Sequence, residues 1–241
     1  MSNKSKYALI TGSSKGLGKA VALALAHQGF SIIVHYFSSK QEALETVTDI
    51  SKQTGVDCFS LQADLCDPKQ VKSLFNSIKE KGITLEIFVQ NVGNYLKKNI
   101  LETSFDEWND IINSNLNATF YCNRMAAQLM QLNKNGRIIN IGFANLGQSV
   151  AKQMIAPYYI AKNGVLIITK TFAAELAKDG ITVNMVSPGV LETSISKPVF
   201  EIPMGRLATL EETVRVVLFL SDPKSNYITG ANLDIAGGWR L

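Results

Sequence analysis

Tyr7-Ala8-Leu9-Ile10-Thr11-Gly12-Ser13-Ser14-Lys15-Gly16-Leu17-Gly18 passes from an apolar tetrad, through a glycine-rich turn, into an amphipathic stretch. Strand, glycine turn and helix in that order suit a nucleotide. Glycines allow a tight turn and close backbone approach, and the N–H groups opening the helix attract a diphosphate. The residues set against such a ligand are Gly12, Ser14, Lys15, Gly16, Leu17 and Gly18. A glycine turn also occurs in plain strand-to-helix connections, so the rest of the chain has to agree.

It does. Short apolar runs at 7–10, 31–35, 57–62, 86–90, 137–141, 182–187 and 232–235 read as strands separated by amphipathic helices. Runs 31–35 and 86–90 carry continuous apolar stretches rather than strict alternation, which marks strands covered on both faces in a parallel sheet. Asp67-Pro68 with Gln70 places an N-cap, a proline in the first turn and a capping-box partner. Ser104 with Glu107, and Thr209 with Glu212, repeat the Ser/Thr-x-x-Glu box. Repeating βαβ units predict an α/β fold with a doubly wound parallel sheet of about seven strands flanked by helices. With no repeat or Pro/Gly-rich linker, residues 1–241 read as a single domain.

Composition excludes several classes. The chain is 46% apolar and 18% charged, with net charge +4 and no basic run interleaved with aromatics, so nucleic-acid binding has no support. Met1-Ser2-Asn3-Lys4-Ser5-Lys6 lacks the apolar core of a signal peptide, and no run approaches the ~18 apolar residues of a membrane span. Cys58, Cys66 and Cys122 form no CxxC and read as reduced thiols of a cytoplasmic protein. The two histidines, His27 and His35, form no metal cluster and no hydrolase triad, so no metal is expected; His27 suits the end of the first helix, before Gly29.

Tyr158 and Lys162, four residues apart at the head of a helical stretch, share one helical face. A free phenol with a pKa near ~10 is a poor proton carrier at neutral pH, and a neighbouring ammonium is expected to favour its phenolate. Tyr159 lies out of register with Lys162.

The glycine turn and the Tyr-x-x-x-Lys pair together resemble the short-chain dehydrogenase/reductase family over almost the whole chain, and most closely its 3-oxoacyl-acyl-carrier-protein reductases. Ile202-Pro203-Met204-Gly205-Arg206, Tyr227-Ile228-Thr229-Gly230 and Gly237-Gly238 carry the closer likeness. The resemblance implies a Rossmann fold, proton transfer by Tyr158, ribose binding by Lys162, and a relay water supported by Asn115. Asp64 and Leu65 would face the adenine, Asn91 and Gly93 the ribose, and Pro188, Gly189 and Thr193 the nicotinamide carboxamide. The second strand ends without the carboxylate that NAD-type sites use, whereas Lys15, Ser38 and Ser39 would welcome a 2′-phosphate. NADP(H) is the expected cofactor; a merely solvated Lys15 is the other reading.

One position departs from the family. Relatives end the strand before the catalytic tyrosine with a serine that hydrogen-bonds the substrate carbonyl; here Phe143 takes that place. Losing such a donor costs ~10²–10³ in rate by analogy with oxyanion holes. Ser149, Asn145 or Gln148 are candidates to replace it, with Phe143 and Ser149 marking the substrate side. The short lid between Thr193 and Ile202 implies an open pocket, and Gln128 and Ala174 align where relatives carry carrier-protein-binding arginines. The expected activity is therefore NADPH-dependent reduction of a carbonyl, first a 3-oxoacyl thioester on acyl-carrier protein or CoA. Another bulky ketone, a pterin or a protein-borne carbonyl, is the alternative, and a non-catalytic NADP-binding scaffold a third. The resemblance further implies a homotetramer or homodimer through helices near 106–132 and 158–178, where Phe120, Met125, Leu129, Val165, Ile168 and Phe172 supply apolar surface.

Overall fold

Seven strands pair side by side in the order β3-β2-β1-β4-β5-β6-β7, every pairing parallel. They are β1 Lys6–Ile10, β2 Ser31–Tyr36, β3 Cys58–Gln62, β4 Thr84–Gln90, β5 Gly136–Ile141, β6 Ile181–Pro188 and β7 Asn232–Ile235. The computed structural model describes residues 6–194 and 196–239. Most of the polar N-terminal stretch, Met1 to Ser5, and one residue of the lid, Ile195, lie outside that set.

Parallel neighbours cannot be joined by hairpins, so helices cross over both faces. These are α1 Gly16–His27, α2 Lys40–Thr54, α3 Pro68–Glu80, α4 Phe105–Ile112, α5 Ala118–Gln131, α6 Ala156–Leu176 and α7 Leu210–Ser221. One core packs α3, α5 and α6 against the sheet through Phe75, Phe88, Met130 and Leu176; the other packs α1 and α7 through Leu25, Val34, Ile87 and Val217. Strand β2 is buried along its whole length and β4 over its last four residues, which explains the apolar stretches at 32–34 and 87–89; β5 and β6 are also wholly buried.

The caps at Ser104 and Thr209 form reciprocal boxes with Glu107 and Glu212. At α3 the box does not close. Asp67 accepts from the Lys69 N–H as expected, but the Gln70 carbonyl Oε1 accepts instead from the backbone N–H of Asp64, 2.9 Å away. Gln70 thus fastens the turn after β3 with its oxygen, while its Nε2 donates to the side chain of the N-cap, Asp67, at 3.2 Å.

The turn after β1 is held by a buried histidine. His35, near the end of β2, accepts the Gly12 N–H on Nδ1 at 3.1 Å, and its Nε2 lies 3.1 Å from the carbonyl of Ala63. A carbonyl only accepts, so Nε2 carries the proton and the ring is neutral. The His35 N–H bonds the Ser13 hydroxyl, and its carbonyl accepts the Ser13 N–H. Burial lowers the imidazole from 6.5 to about 4. A cation there would lose its acceptor for Gly12.

Because the unfolded chain binds this proton more readily, His35 stabilises the fold fully above pH 6.5, and that stability is lost as pH falls toward 4. The contribution is on the order of 3 kcal/mol. Urea unfolding from pH 6.5 down to 4 should show this loss, and His35→Gln should flatten it. An equal pH slope in the variant would remove His35 as its source.

Candidate active site

The glycine turn is open where a ligand would lie and closed where the fold needs contact. Helix α1 starts with no side-chain cap and no acid in its first turn, which leaves its N–H groups to an anion. Gly16 has φ +58°, and a Cβ there would meet nothing within 4 Å. A Cβ on Gly18 would strike the Gly12 carbonyl oxygen at 2.4 Å, so close packing of helix on turn requires glycine there. The Asn91 amide donates to the Thr11 carbonyl at 3.1 Å, and the Thr11 hydroxyl accepts the N–H groups of Asn91 and Val92 at 2.8 and 3.1 Å. These bonds tie the turn after β1 to the end of β4.

Around this turn Ser14 is buried and Lys15 exposed. Ser38 is exposed, and Ser39 precedes α2 without a side-chain capping bond. Asp64 is half-buried, with Oδ1 accepting the Cys66 N–H at 2.9 Å, and Leu65 packs into the core. No carboxylate stands at the end of β2, where Tyr36 is buried. These residues fit a nicotinamide dinucleotide.

A cleft of about 960 Å³ opens beside the turn, bounded by the C-terminal ends of β4, β5 and β6. It brings together Leu17, Asn91, Gly93, Phe143, Tyr158, Lys162, Pro188, Gly189 and Thr193. Val190 and Leu191 line it too while remaining buried. Ser149 is exposed and stands outside the lining. The loop before it is turned elsewhere, since the Tyr159 hydroxyl donates to the carbonyls of Asn145 and Gln148 at 3.2 and 3.1 Å.

Helix α6 carries Tyr158 and Lys162 on consecutive turns. Lys162 Nζ donates to the Ile141 carbonyl at 2.8 Å and lies 5.7 Å from the centre of the Tyr158 ring. The expected lowering of the phenol is not what this arrangement produces. Burial pushes Tyr158 up, the nearby Tyr95 adds to the rise, and burial lowers Lys162 to about 8. The ammonium faces the ring and a carbonyl rather than pairing with the phenol oxygen.

Asn115 sits in a π-helical segment, Asn113–Asn117, inserted between α4 and α5. Such insertions recur at functional sites. Its amide donates to the carbonyls of Asn94 and Ile111 at 2.8 and 3.0 Å, while Oδ1 is buried without a hydrogen-bond partner among the described residues. A Cβ at Gly93 would lie 2.2 Å from that oxygen and 3.4 Å from Lys162 Nζ. Glycine at 93 therefore leaves room between the orphaned acceptor and the ammonium.

Three further aromatic rings accompany Tyr158. Tyr95 meets it edge-to-face at 5.0 Å and 85°, Phe143 does so at 5.5 Å and 80°, and Trp239 continues the row against Phe143 at 5.9 Å and 88°. Trp239 Nε1 donates to Glu201 at 3.2 Å. Tyr95, Trp239, Thr11 and His35 were not among the sequence candidates. Only tertiary packing brings the first two to the cleft, and the latter two act by holding the turn.

Residues 12–240 match the family model described as enoyl-(acyl carrier protein) reductase. The chain belongs to the short-chain dehydrogenase/reductase family. Within this short-chain dehydrogenase/reductase family, the 3-oxoacyl-acyl-carrier-protein reductase FabG of Staphylococcus aureus is 34% identical across 97% of both chains. The corresponding reductase of Synechocystis sp. is 36% identical over 97% of this chain and 96% of its own. Among solved structures, acetoin dehydrogenase YohF from Salmonella typhimurium superposes with TM-score 0.89 at 31% identity, covering 98% of this chain and 97% of the other. Acetoin dehydrogenase from Enterobacter cloacae gives 0.89 at 30% identity, covering 98% and 96%. No helix among the described residues is long and apolar enough to cross a membrane, and they hold no group of three or more metal-ligating side chains.

Proposed function

We propose that this short-chain dehydrogenase/reductase is an NADPH-dependent carbonyl reductase acting on a 3-oxoacyl thioester, carried by acyl-carrier protein or CoA. The observation that carries the proposal is the Tyr158–Lys162 pair opening onto the same cleft as Asn91, Gly93 and Pro188-Gly189. NADPH, when bound, supplies the hydride. The N–H groups of α1 and the glycine turn would hold its diphosphate, Lys15, Ser38 and Ser39 its 2′-phosphate, and Asp64 and Leu65 its adenine. Asn91, Gly93 and Lys162 would hold the nicotinamide ribose, and Pro188, Gly189 and Thr193 the carboxamide.

Tyr158 donates its proton to the carbonyl oxygen as charge develops there. Lys162 restores that proton by way of a water placed at the orphaned Asn115 Oδ1. The half-closed aromatic row orients the substrate and thins the water around it. The same row favours a second reading within this chemistry, reduction of another bulky ketone such as a pterin.

Self-association follows from surface chemistry. Leu129 and Val165 are spent on the protomer's own core, and Met125, Ile168 and Phe172 are partly buried. Phe120 on α5 and Ile160 and Ile167 on α6 remain exposed at 43%, 48% and 65%. A dimer or tetramer would cover them, and the protein is placed in the cytoplasm with its reduced thiols.

NADPH should bind at least ~10-fold more tightly than NADH by fluorescence titration, because Lys15 attracts the 2′-phosphate and no acid repels it. Equal affinities would overturn the cofactor choice. With acetoacetyl-CoA, Tyr158→Phe should abolish turnover while leaving NADPH affinity nearly unchanged, whereas Lys162→Ala should weaken both. Retained turnover in Tyr158→Phe would reassign the acid. Light scattering at micromolar concentration should give a dimer or tetramer mass, and a monomer mass would refute the assembly.

A further inference from the structure

The cleft is basic beyond what the reacting residues need. Among the described residues of its lining stand four lysines, Lys97, Lys152, Lys162 and Lys197, and one carboxylate, Glu201. Two of the lysines are engaged within the protein. Lys162 donates to the Ile141 carbonyl, and Lys152 Nζ sits over the Tyr159 ring at 5.2 Å. Glu201 accepts the Trp239 indole N–H.

Lys97 and Lys197 differ from both. They are exposed, which sets them at the solvent-facing rim, and neither forms an ion pair with a described residue. Lys98, beside the first, meets both carboxylate oxygens of Glu107 at 2.9 Å. Backbone hydrogen bonds hold both rim segments. The Lys98 and Ile100 N–H groups donate to the carbonyls of Met154 and Gln153 at 2.7 and 3.1 Å, clamping the segment after β4 to the loop before α6. Lys197 opens a turn in which its carbonyl accepts the Val199 N–H at 2.9 Å and the Pro198 carbonyl accepts the Glu201 N–H at 3.0 Å. That turn also brings Phe200, 90% exposed, to the lining, which Met154 joins from the other segment. A cleft edged by one sign of charge concentrates ions of the opposite sign, and here apolar surface accompanies the charge.

We propose that Lys97 and Lys197 hold a phosphate of the substrate's carrier, so that the site selects 3-oxoacyl thioesters on a phosphorylated carrier over neutral ketones. The inference rests on the carbonyl-reductase reading. With the reacting carbonyl at Tyr158, the carrier's arm leads outward and brings its phosphate to the exposed rim. The phosphates of NADPH are assigned to the glycine turn, Lys15 and the serines, so the cofactor does not claim these two lysines. Both are solvated and screened by salt, so each contributes a few-fold, and it does so alike in the ground and transition states.

The test follows NADPH oxidation by the full chain at saturating NADPH. Its substrates are acetoacetyl-CoA, acetoacetyl-acyl-carrier protein and the neutral thioester S-acetoacetyl-N-acetylcysteamine. The parent should prefer acetoacetyl-CoA to the neutral thioester by at least ~10-fold in kcat/KM, and added salt should shrink the preference. Lys97→Gln with Lys197→Gln should raise KM for acetoacetyl-CoA at least ~5-fold and leave kcat within ~2-fold. The neutral thioester and NADPH affinity should also stay within ~2-fold, and Lys97→Arg with Lys197→Arg should keep the parent's KM. An equal rise with the acyl-carrier-protein substrate assigns the pantetheine phosphate common to both carriers; a rise with CoA alone assigns the phosphates of its nucleotide. A rise confined to the carrier protein would set the lysines against its acidic side chains and overturn the phosphate assignment. The assignment also falls if the parent shows no preference, or if the Gln variant affects both thioesters alike, weakens NADPH instead or changes nothing. The reductase reading survives each of those results. If the parent reduces none of the three substrates with NADPH, both fall.

Discussion

Parallel pairing of β1 with β4, against the order of the chain, is the constraint from which the site follows. The chain builds β1, β2 and β3 outward on one side, then returns to lay β4 on the other side of β1. Connections leaving β1 and β4 therefore part at their C-terminal ends, and a crevice opens there without any residue being spent to make it. The glycine turn occupies one lip and Asn91 and Gly93 the other. Thr11 joins them, its hydroxyl taking two N–H groups from the far lip. His35 anchors the near lip from below, through a ring that has to stay neutral to accept the Gly12 N–H.

Across the crevice an aromatic wall is assembled from distant pieces: Tyr95 after β4, Phe143 after β5, Tyr158 on α6 and Trp239 beyond β7. Each edge-to-face contact adds about 0.5–1.5 kcal/mol beyond burial. The row packs Tyr158 against both Tyr95 and Phe143 and couples it to the segment beyond β7, where Trp239 is fastened to Glu201. Phe143 thus joins Tyr158 to Trp239 in one aromatic row at the end of β5.

How much of this was legible follows from which forces are local. The strands, the caps at Ser104 and Thr209 and the glycine turn depend on residues within a few positions of one another, and they stand where the pattern placed them. Gln70 shows the limit: the box spacing was present, but a competing N–H at Asp64 took its oxygen. The helical stretch through 106–132 likewise hides its π-helical turn, where Asn115 bonds the Asn94 carbonyl and fits beside Gly93, partners some twenty residues away. Tyr95 and Trp239 carried no periodic signal, and their roles arise from packing between segments far apart in sequence. The Tyr158–Lys162 spacing was plain, but the balance between charge and burial was not, since it depends on how much water the finished cleft admits.

That balance bears on direction. Burial raises the phenol of Tyr158 and lowers the ammonium of Lys162 to about 8, so at neutral pH the first is fully protonated and the second still mostly charged. In the proposed reduction the tyrosine gives its proton to an oxygen becoming an alkoxide, a far stronger base than a phenolate, so a raised pKa does not obstruct the transfer. The reverse reaction needs the phenolate to take a proton from an alcohol, and the same burial makes that form scarce. For the proposed reduction, burial thus favours the proton-carrying form of Tyr158, while the charge on Lys162 falls away as pH rises through about 8. The desolvation that defeats the simple expectation for the tyrosine thus favours the same protonated phenol that the proposed proton donation requires.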